Sequence, residues 1–168
     1  MNRKVEAKQK NSKMCLVCGM KNSFGLKAFF YELDNGEVVS LFTPCEEHQS
    51  YPGRMHGGIA CAILDETIGR AIMPLYGEDI WGVTIEFKIV FRKPIPLNVE
   101  LKTVGRITSD TRRAFEGTGE IILPGGVVAA EGWGKYIKMP IEKISDFGVE
   151  EQEWKVISLE DDPSEIEI

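Results

Sequence analysis

The sequence predicts an α+β fold in which one long helix packs on a curved antiparallel sheet of about six strands. Three observations support this fold class. The chain contains one long apolar helical segment, from about Gly57 to Met73. Two strand-like segments precede the helix and four follow it, with turn signals between them. With 168 residues, the chain is long enough for one domain with a sizeable core.

Each strand has its own signal. Strands at 26–33 and 37–43 flank Asp34-Asn35-Gly36, a hairpin turn sequence. After the helix, which Pro74 is expected to stop, strict alternation predicts a strand at 83–91. Thr84 lies on its polar face, and the apolar face comprises Val83, Ile85, Phe87, Ile89 and Phe91. The remaining strands are predicted at 99–107, 114–123 and 127–138.

Charge divides the chain into three parts. Residues 1–13 are polar and basic and are predicted to form a flexible arm. Residues 14–140 are predicted to form the folded domain. Residues 141–168 hold ten acidic residues against two lysines, so the net charge of −6 is a property of an acidic C-terminal tail.

Composition also excludes some classes of function. The overall acidity argues against a nucleic-acid partner. No apolar run approaches the length of a membrane helix, and residues 1–13 lack the apolar stretch of a secretory signal. We therefore expect a cytoplasmic protein with neither a nucleic-acid nor a membrane partner.

The cysteines raise the question of a metal. Cys15 and Cys18 have the spacing of half a zinc site. The second half is missing, because only Cys45 and two histidines remain once Cys61 is assigned to the apolar helix. Reduced thiols are the favoured interpretation, and no metal or other cofactor is expected.

Candidate chemistry is concentrated on the predicted helix. Gly57 and Gly58 lie at its start, where unpaired N–H groups and the positive dipole end can stabilise a negatively charged oxygen. Asp65 lies two turns further on among apolar neighbours, where burial would raise its pKa. Together they indicate an oxyanion site plus a base. Glu66 lies four residues before Arg70, which favours an ordinary surface ion pair.

The spacing of these groups points to a dimer. Gly58 and Asp65 are seven residues apart, which is about 10 Å along a helix. One carbonyl group cannot contact both. If both act on one substrate, they come from antiparallel helices of two subunits, and the active site is shared across a homodimer.

Five motifs, in this order and spacing, resemble those of hotdog-fold acyl-CoA thioesterases, in the 4-hydroxybenzoyl-CoA and phenylacetate-pathway subgroup. They are CLVCG with Asn22 and GLK at 25–27, Pro52-Gly53 with HGG at 56–58, GVTIEF at 82–87, FRKPIPL at 91–97 and AEGWGKY at 130–136. The resemblance covers about residues 14–139. It implies the hotdog fold and hydrolysis of an acyl-CoA thioester to a free acid and coenzyme A.

The resemblance also implies roles for individual residues. Asp65 matches the catalytic carboxylate, acting as general base or nucleophile. The Gly58 N–H, with Gly57 beside it, matches the oxyanion donor. The other expected site residues are His56, at the helix start, Thr84, which matches a hydroxyl that positions water, Gln49 and Ser50. Candidates for binding the coenzyme A phosphates are Arg92, Lys93 and Arg113.

Two other functions remain open. A dehydratase or hydratase of the same fold pairs a histidine with a helix carboxylate, and His48 near Pro52 faintly resembles that arrangement. A non-catalytic acyl-CoA-binding protein is the second alternative. For the enzyme, we expect an acyl-CoA substrate and a homodimer that assembles into a dimer of dimers.

Overall fold

The computed structural model describes residues 1–146 and 148–168, which contain one antiparallel eight-stranded sheet curved around one long helix. The strands are β1 (Asn2–Lys8), β2 (Phe29–Leu33), β3 (Val38–Phe42), β4 (Trp81–Phe91), β5 (Leu101–Asp110), β6 (Ala114–Ile122), β7 (Val128–Met139) and β8 (Glu165–Glu167). The α-helices are the long α1 (Gly57–Arg70) and the short α2 (Met73–Tyr76).

The sheet has the strand order β4-β7-β6-β5-β3-β2-β1-β8, and α1 packs against β3 to β7. One long helix held by a curved antiparallel sheet is the hotdog arrangement, so the predicted fold class is confirmed. The sheet has eight strands rather than about six, because the segments near the two chain ends each add one.

α1 forms because its apolar residues recur at helical spacing. The side chains that face the sheet are fully buried, and they are Ala60, Ile63, Leu64, Thr67 and Ile68. The helix ends at Arg70, three residues before the predicted end, and Pro74 lies in the short α2. Among the described residues, no helix has both the length and the apolar character needed to span a bilayer.

A row of glycines in the sheet lies under α1. Gly105, Gly119 and Gly132 pair across β5, β6 and β7. A Cβ atom at Gly105 would lie 2.7 Å from the carbonyl oxygen of Thr67, and one at Gly119 would lie 3.0 Å from the side chain of Ile68. The helix backbone therefore rests directly on the sheet, and a side chain at Gly105 would push it away.

The segments near both chain ends pack onto the domain. Asn2–Lys8, within the predicted flexible arm, forms β1 between β2 and β8, so the prediction of a flexible arm is wrong for these residues. In the acidic tail, Trp154 is 6% exposed and Ile166, in β8, is 5% exposed. The strand partners lie at opposite ends of the chain, where local sequence patterns cannot reveal them.

β4 contains a β-bulge between Thr84 and Glu86, where its pairing with β7 slips by one residue. Thr84 faces α1 before the bulge, and Phe87 and Ile89 pack on the core after it. Ile85 is 55% exposed. The predicted strict alternation is therefore wrong, because the extra residue moves the inward-facing positions from even to odd numbers.

The glycine row provides a test of this packing. We expect Gly105→Ala to lower the free energy of unfolding by about 1–3 kcal/mol, the usual cost of overpacking a core. The added methyl group would meet helix backbone, which cannot move aside alone. Urea unfolding followed by circular dichroism measures the change. Gly148→Ala is the matched control, since the nearest atom to its new Cβ is 3.4 Å away. Equal stability of the two variants would contradict this packing.

Candidate active site

Asp65 lies at the edge of the buried stripe of α1 and points towards β4 and β7. Thr84 Oγ1 donates a hydrogen bond to Asp65 Oδ1 at 2.9 Å, and the Tyr136 hydroxyl donates to the same oxygen at 3.1 Å. Within residues 1–146 and 148–168, no group donates to the other carboxylate oxygen, Oδ2. The carboxylate is thus held by one oxygen and leaves the other available for chemistry.

Tyr136 was not identified as a site residue from the sequence. It is 1% exposed, and its ring stacks on Phe115 with centroids 4.8 Å apart. Glycines make room for it, since a Cβ at Gly134 would lie 2.4 Å from the Tyr136 hydroxyl oxygen and one at Gly82 would lie 3.2 Å from its ring. Gly134 two residues earlier on β7 and Gly82 on the neighbouring β4 are the sequence signal that could have indicated it.

The surroundings of Asp65 favour its neutral form. Burial raises its pKa above the ordinary value of 3.8, and the negative charge of Glu66 adds to the effect. The hydrogen bonds from Thr84 and Tyr136 act in the opposite direction. Burial and the charge of Asp65 also raise the pKa of Tyr136, so its hydroxyl stays protonated and can donate. The result is a carboxylate that accepts a proton more readily than an exposed aspartate.

A cavity of about 320 Å³, here called the Asp65 cavity, opens beside this carboxylate. Thr84 and Tyr136 form one wall. Trp81 and Trp154 form another, with ring centroids 5.2 Å apart. Since Trp154 belongs to the acidic tail, that tail contributes part of the wall next to the candidate base.

The start of α1 differs in detail from the sequence interpretation. His56 caps the helix, and its Nδ1 accepts a hydrogen bond from the Gly58 N–H at 2.8 Å. The expected oxyanion donor is therefore already paired. No described residue accepts from the Gly57 N–H, which is one of the unpaired donors of the first turn. The open donor at this helix start is thus one residue earlier than expected.

A second cavity, of about 630 Å³ and here called the helix-start cavity, lies beside Gly57. A Cβ at Gly57 would lie 3.2 Å from the ring of Phe91 at the end of β4. Arg92 pairs with Glu131 at 2.7 Å, while Lys93 has no ion pair within the described part of the chain. The expected site residues that line this cavity are Gly57, Ser50, Arg92 and Lys93.

The other expected residues lie apart. Gln49 lines neither cavity, and its Oε1 accepts from the Gly53 N–H at 2.9 Å, which closes the loop before the helix. Arg113 lies in the β5–β6 turn, where its carbonyl accepts from the Lys138 N–H at 2.9 Å. That turn is at the Asp65 end of β7. Within one chain, the expected site is therefore divided between two places.

The ion pair of Glu66 and Arg70 forms as predicted, with 2.8 Å between Glu66 Oε1 and Arg70 Nη2. Its location was predicted wrongly, since Arg70 is 5% exposed and stacks over the ring of Phe30 at 4.1 Å. The pair is buried because the N-terminal segment covers this side of α1, with the Lys10 carbonyl accepting from Arg70 at 3.0 Å.

Comparison with known proteins shows similarity to thioesterases in this part of the chain. Residues 52–130, which contain both the helix start and Asp65, match the family model described as Thioesterase superfamily. Over these residues the chain is similar to the thioesterase superfamily. The mouse acyl-coenzyme A thioesterase THEM4 is 36% identical over 70 residues, which are 42% of this chain and 29% of the mouse protein. The match thus spans less than a third of that relative.

Two solved structures share the fold. Protein RHA08564, described as a thioesterase superfamily protein, is 26% identical with a TM-score of 0.66, over 73% of this chain and 59% of that one. The Streptococcus mutans protein smu.793, bound to acetyl CoA, is 19% identical with a TM-score of 0.57, over 62% of this chain and 82% of that one.

The hydrogen bonds to Asp65 yield a prediction about its pKa. Tyr136→Phe removes a donor that favours the ionised carboxylate, so the pKa of Asp65 should rise further above 3.8. A pH titration of the aspartate carboxyl ¹³C signals, with Asp65→Asn used for assignment, measures it. In the control Tyr31→Phe, the lost hydroxyl donates to Asp162, so the pKa of Asp65 should not change. A fall of that pKa in Tyr136→Phe would refute the arrangement.

Proposed function

We propose that the protein is an acyl-CoA thioesterase that hydrolyses a thioester to a free acid and coenzyme A. The observation that carries the proposal is Asp65, a half-buried carboxylate held by Thr84 and Tyr136 at a cavity. The match to the thioesterase superfamily supports it, as do the activity in the name of the mouse relative and the acetyl CoA bound to the Streptococcus mutans protein.

Asp65 acts as a general base or as a nucleophile. As a base, its free Oδ2 takes a proton from water while the water oxygen attacks the thioester carbonyl carbon. The C–S bond then breaks, and coenzyme A leaves as a thiolate that regains a proton. As a nucleophile, Oδ2 attacks the carbonyl carbon itself, the C–S bond breaks with coenzyme A leaving as a thiolate that takes up a proton, and water hydrolyses the resulting anhydride. Trapping of an anhydride by hydroxylamine distinguishes the second route from the first.

The start of α1 stabilises the negative charge that develops on the carbonyl oxygen. The Gly57 N–H is open, and it lies at the positive end of the helix dipole. The Gly58 N–H becomes a second donor if the oxyanion displaces the His56 ring from it. Each donor of this kind can be worth about 3 kcal/mol of transition-state stabilisation.

The two halves of the site meet across a dimer. β4 is 11 residues long and lies at one edge of the sheet, so its outer side is open to a second copy. Along this edge, Asp65 contacts Thr84 and Gly57 lies beside Phe91. Antiparallel pairing of two β4 strands about a two-fold axis brings the Asp65 end of one chain to the Gly57 end of the other.

The same pairing gathers the basic residues. Arg113 lies in the β5–β6 turn, on the side of the domain where Asp65 is, and Lys93 and Arg92 line the helix-start cavity. A dimer joins these groups from two chains at each site, where they suit the phosphates of coenzyme A. A dimer of dimers and a cytoplasmic location stay predictions from the sequence.

The structure offers the dehydratase alternative little support. His48 is 2% exposed, and both its ring nitrogens are engaged. Nδ1 accepts from the Cys45 N–H at 3.0 Å, and Nε2 donates to the Phe24 carbonyl at 2.9 Å. This histidine stabilises the loop and has no nitrogen left for proton transfer.

Replacement of Asp65 by asparagine tests its proposed role in hydrolysis. We expect kcat for acyl-CoA hydrolysis to fall by at least about 10²-fold, since the amide can neither accept the proton nor attack. Thiol release from acyl-CoA esters of varied chain length and aromaticity, followed with a chromogenic reagent, measures the rate. Because burial opposes the ionised form of Asp65, the neutral amide should not lower stability.

Asp79→Asn is the matched control, since Asp79 is exposed and lines neither cavity. It should retain wild-type activity. Full activity in Asp65→Asn would refute the assigned role. Acyl-CoA binding without hydrolysis by the wild-type protein would favour the non-catalytic alternative.

The proposed dimer predicts that each active site needs residues from two chains. Gly57→Pro removes the open N–H and keeps a good helix start, because proline suits the first helical position and His56 is already extended. Gly57→Pro and Asp65→Asn should each be nearly inactive. After subunit exchange, a heterodimer has one site with both defects and one intact site, so about half the wild-type activity should return.

Native mass spectrometry establishes that the subunits have exchanged. Gly57→Ala, which keeps the N–H, is the control for bulk beside the Phe91 ring. If heterodimers form and activity does not return, each site is built within one chain.

A further inference from the structure

A second cluster of reactive side chains lies on the wall of the Asp65 cavity. The sulfur atoms of Cys15 and Cys18 and a carboxylate oxygen of Glu66 all lie within 4.8 Å of one another. Across residues 1–146 and 148–168, this is the one group of three His, Cys, Asp or Glu side chains placed so closely. The thioesterase chemistry proposed above does not use these three groups.

The turn that carries the cysteines is built around a sulfur atom. The N–H groups of Val17 and Cys18 point at Cys15 Sγ, at 3.3 and 3.5 Å. The Gly19 N–H closes the turn on the Cys15 carbonyl at 2.9 Å, and a Cβ at Gly19 would lie only 2.3 Å from that oxygen. These N–H groups can donate to the sulfur once Cys15 has lost its proton, and the thiolate is the form that binds metal.

Glu66 is held in position to complete the cluster. Its Oε1 accepts from Arg70 Nε at 3.0 Å and Nη2 at 2.8 Å. Arg70 is itself fixed over the rings of Phe30 and Trp154. The other oxygen, Oε2, lies 3.1 Å from Cys15 Sγ and accepts from its thiol. The proton between these two atoms occupies a place that a cation could take.

The charges in the cluster suit a divalent cation. Two thiolates and the Glu66 carboxylate would carry three negative charges, and Arg70 supplies one positive charge. A divalent ion therefore leaves the group neutral, which matters because Cys18 and Arg70 are buried. Thiolate and carboxylate ligands are those of zinc, with Zn–S distances of about 2.3 Å and hence S···S distances near 3.8 Å.

We propose that Cys15, Cys18 and Glu66 bind one zinc-class divalent metal ion, with its fourth position facing the Asp65 cavity. The ion replaces the thiol protons, which pass to solvent. It ties the Cys15–Gly19 turn to α1 and so holds one wall of the Asp65 cavity. Glu66 on α1 supplies the ligand that is missing when only cysteine and histidine residues are considered. The proposal does not depend on the thioesterase activity.

Metal binding is tested on the full chain, reduced and freed of metal with a chelator. After addition of Zn²⁺ and gel filtration, elemental analysis should find one zinc per chain, and the midpoint of thermal unfolding should rise. Co²⁺ added in its place should give thiolate-to-cobalt charge-transfer absorption in the near ultraviolet. These readouts are independent of enzyme activity.

The variants separate this site from other thiols. Cys18→Ser and Glu66→Gln should each weaken Co²⁺ binding by about 100-fold or more, at least the effect of losing a supporting contact. Cys15→Ser should also remove the charge-transfer band. Cys45→Ser is the matched control, since Cys45 is a free cysteine remote from the cluster, and it should bind cobalt as the wild type does.

Absence of stoichiometric zinc in protein with four titratable thiols would overturn the proposal. A cobalt spectrum without thiolate bands would also overturn it, as would loss of binding in Cys45→Ser. If mild oxidation by a disulfide reagent removes two thiols and the reduced protein binds no metal, the pair is a redox pair instead.

Discussion

The close contact between α1 and the glycine row is the constraint on which the rest of the structure depends. Because the helix backbone rests on Gly105, one stripe of the helix must face the sheet. Asp65 follows Leu64 in the sequence and is rotated by about 100° from it, which places it at the border of that stripe. It is therefore buried enough for its pKa to rise, and close enough to the cavity to meet a ligand.

Local patterns were sufficient for the central elements. The helix and six of the strands follow from residue periodicity and turn sequences, and the structure places them within a few residues of the predicted bounds. The strands β1 and β8 could not be predicted, because Asn2 pairs with Glu167 and neither segment has a strong pattern of its own. Pairings between distant segments are decided by the assembled sheet.

The candidate site was predictable in its chemistry and less so in its geometry. A carboxylate in an apolar helix is costly, so Asp65 could be found from its apolar neighbours in the sequence. The β-bulge that turns Thr84 towards Asp65 was not visible, since an extra residue leaves the alternating pattern of β4 intact in the sequence. Tyr136 was missed for a related reason, because its position depends on space left by Gly134 on its own strand and by Gly82 on β4.

The cap at the start of α1 shows how two demands on one helix end are met. The first-turn N–H groups need acceptors, and His56 satisfies the one at Gly58. In the proposed mechanism, a substrate oxygen at the Gly57 N–H leaves this cap in place, and only recruitment of the Gly58 N–H as a second donor displaces the His56 ring.

The uneven charge of the chain has a structural explanation. The basic N-terminal residues and the acidic tail pair with each other, through Lys8 with Asp162 and Lys21 with Glu153. Lys21–Glu153 is an exposed pair of the kind that contributes little to stability, whereas the Lys8 side chain is only 9% exposed. The burial of Lys8 and of Trp154 is the stronger reason that the tail stays on the domain. The opposite charges of the two segments instead favour pairing of the tail with the N-terminal residues over pairing with other surfaces of the protein. Because Trp154 also lines the Asp65 cavity, this pairing of distant segments shapes the wall beside the candidate base.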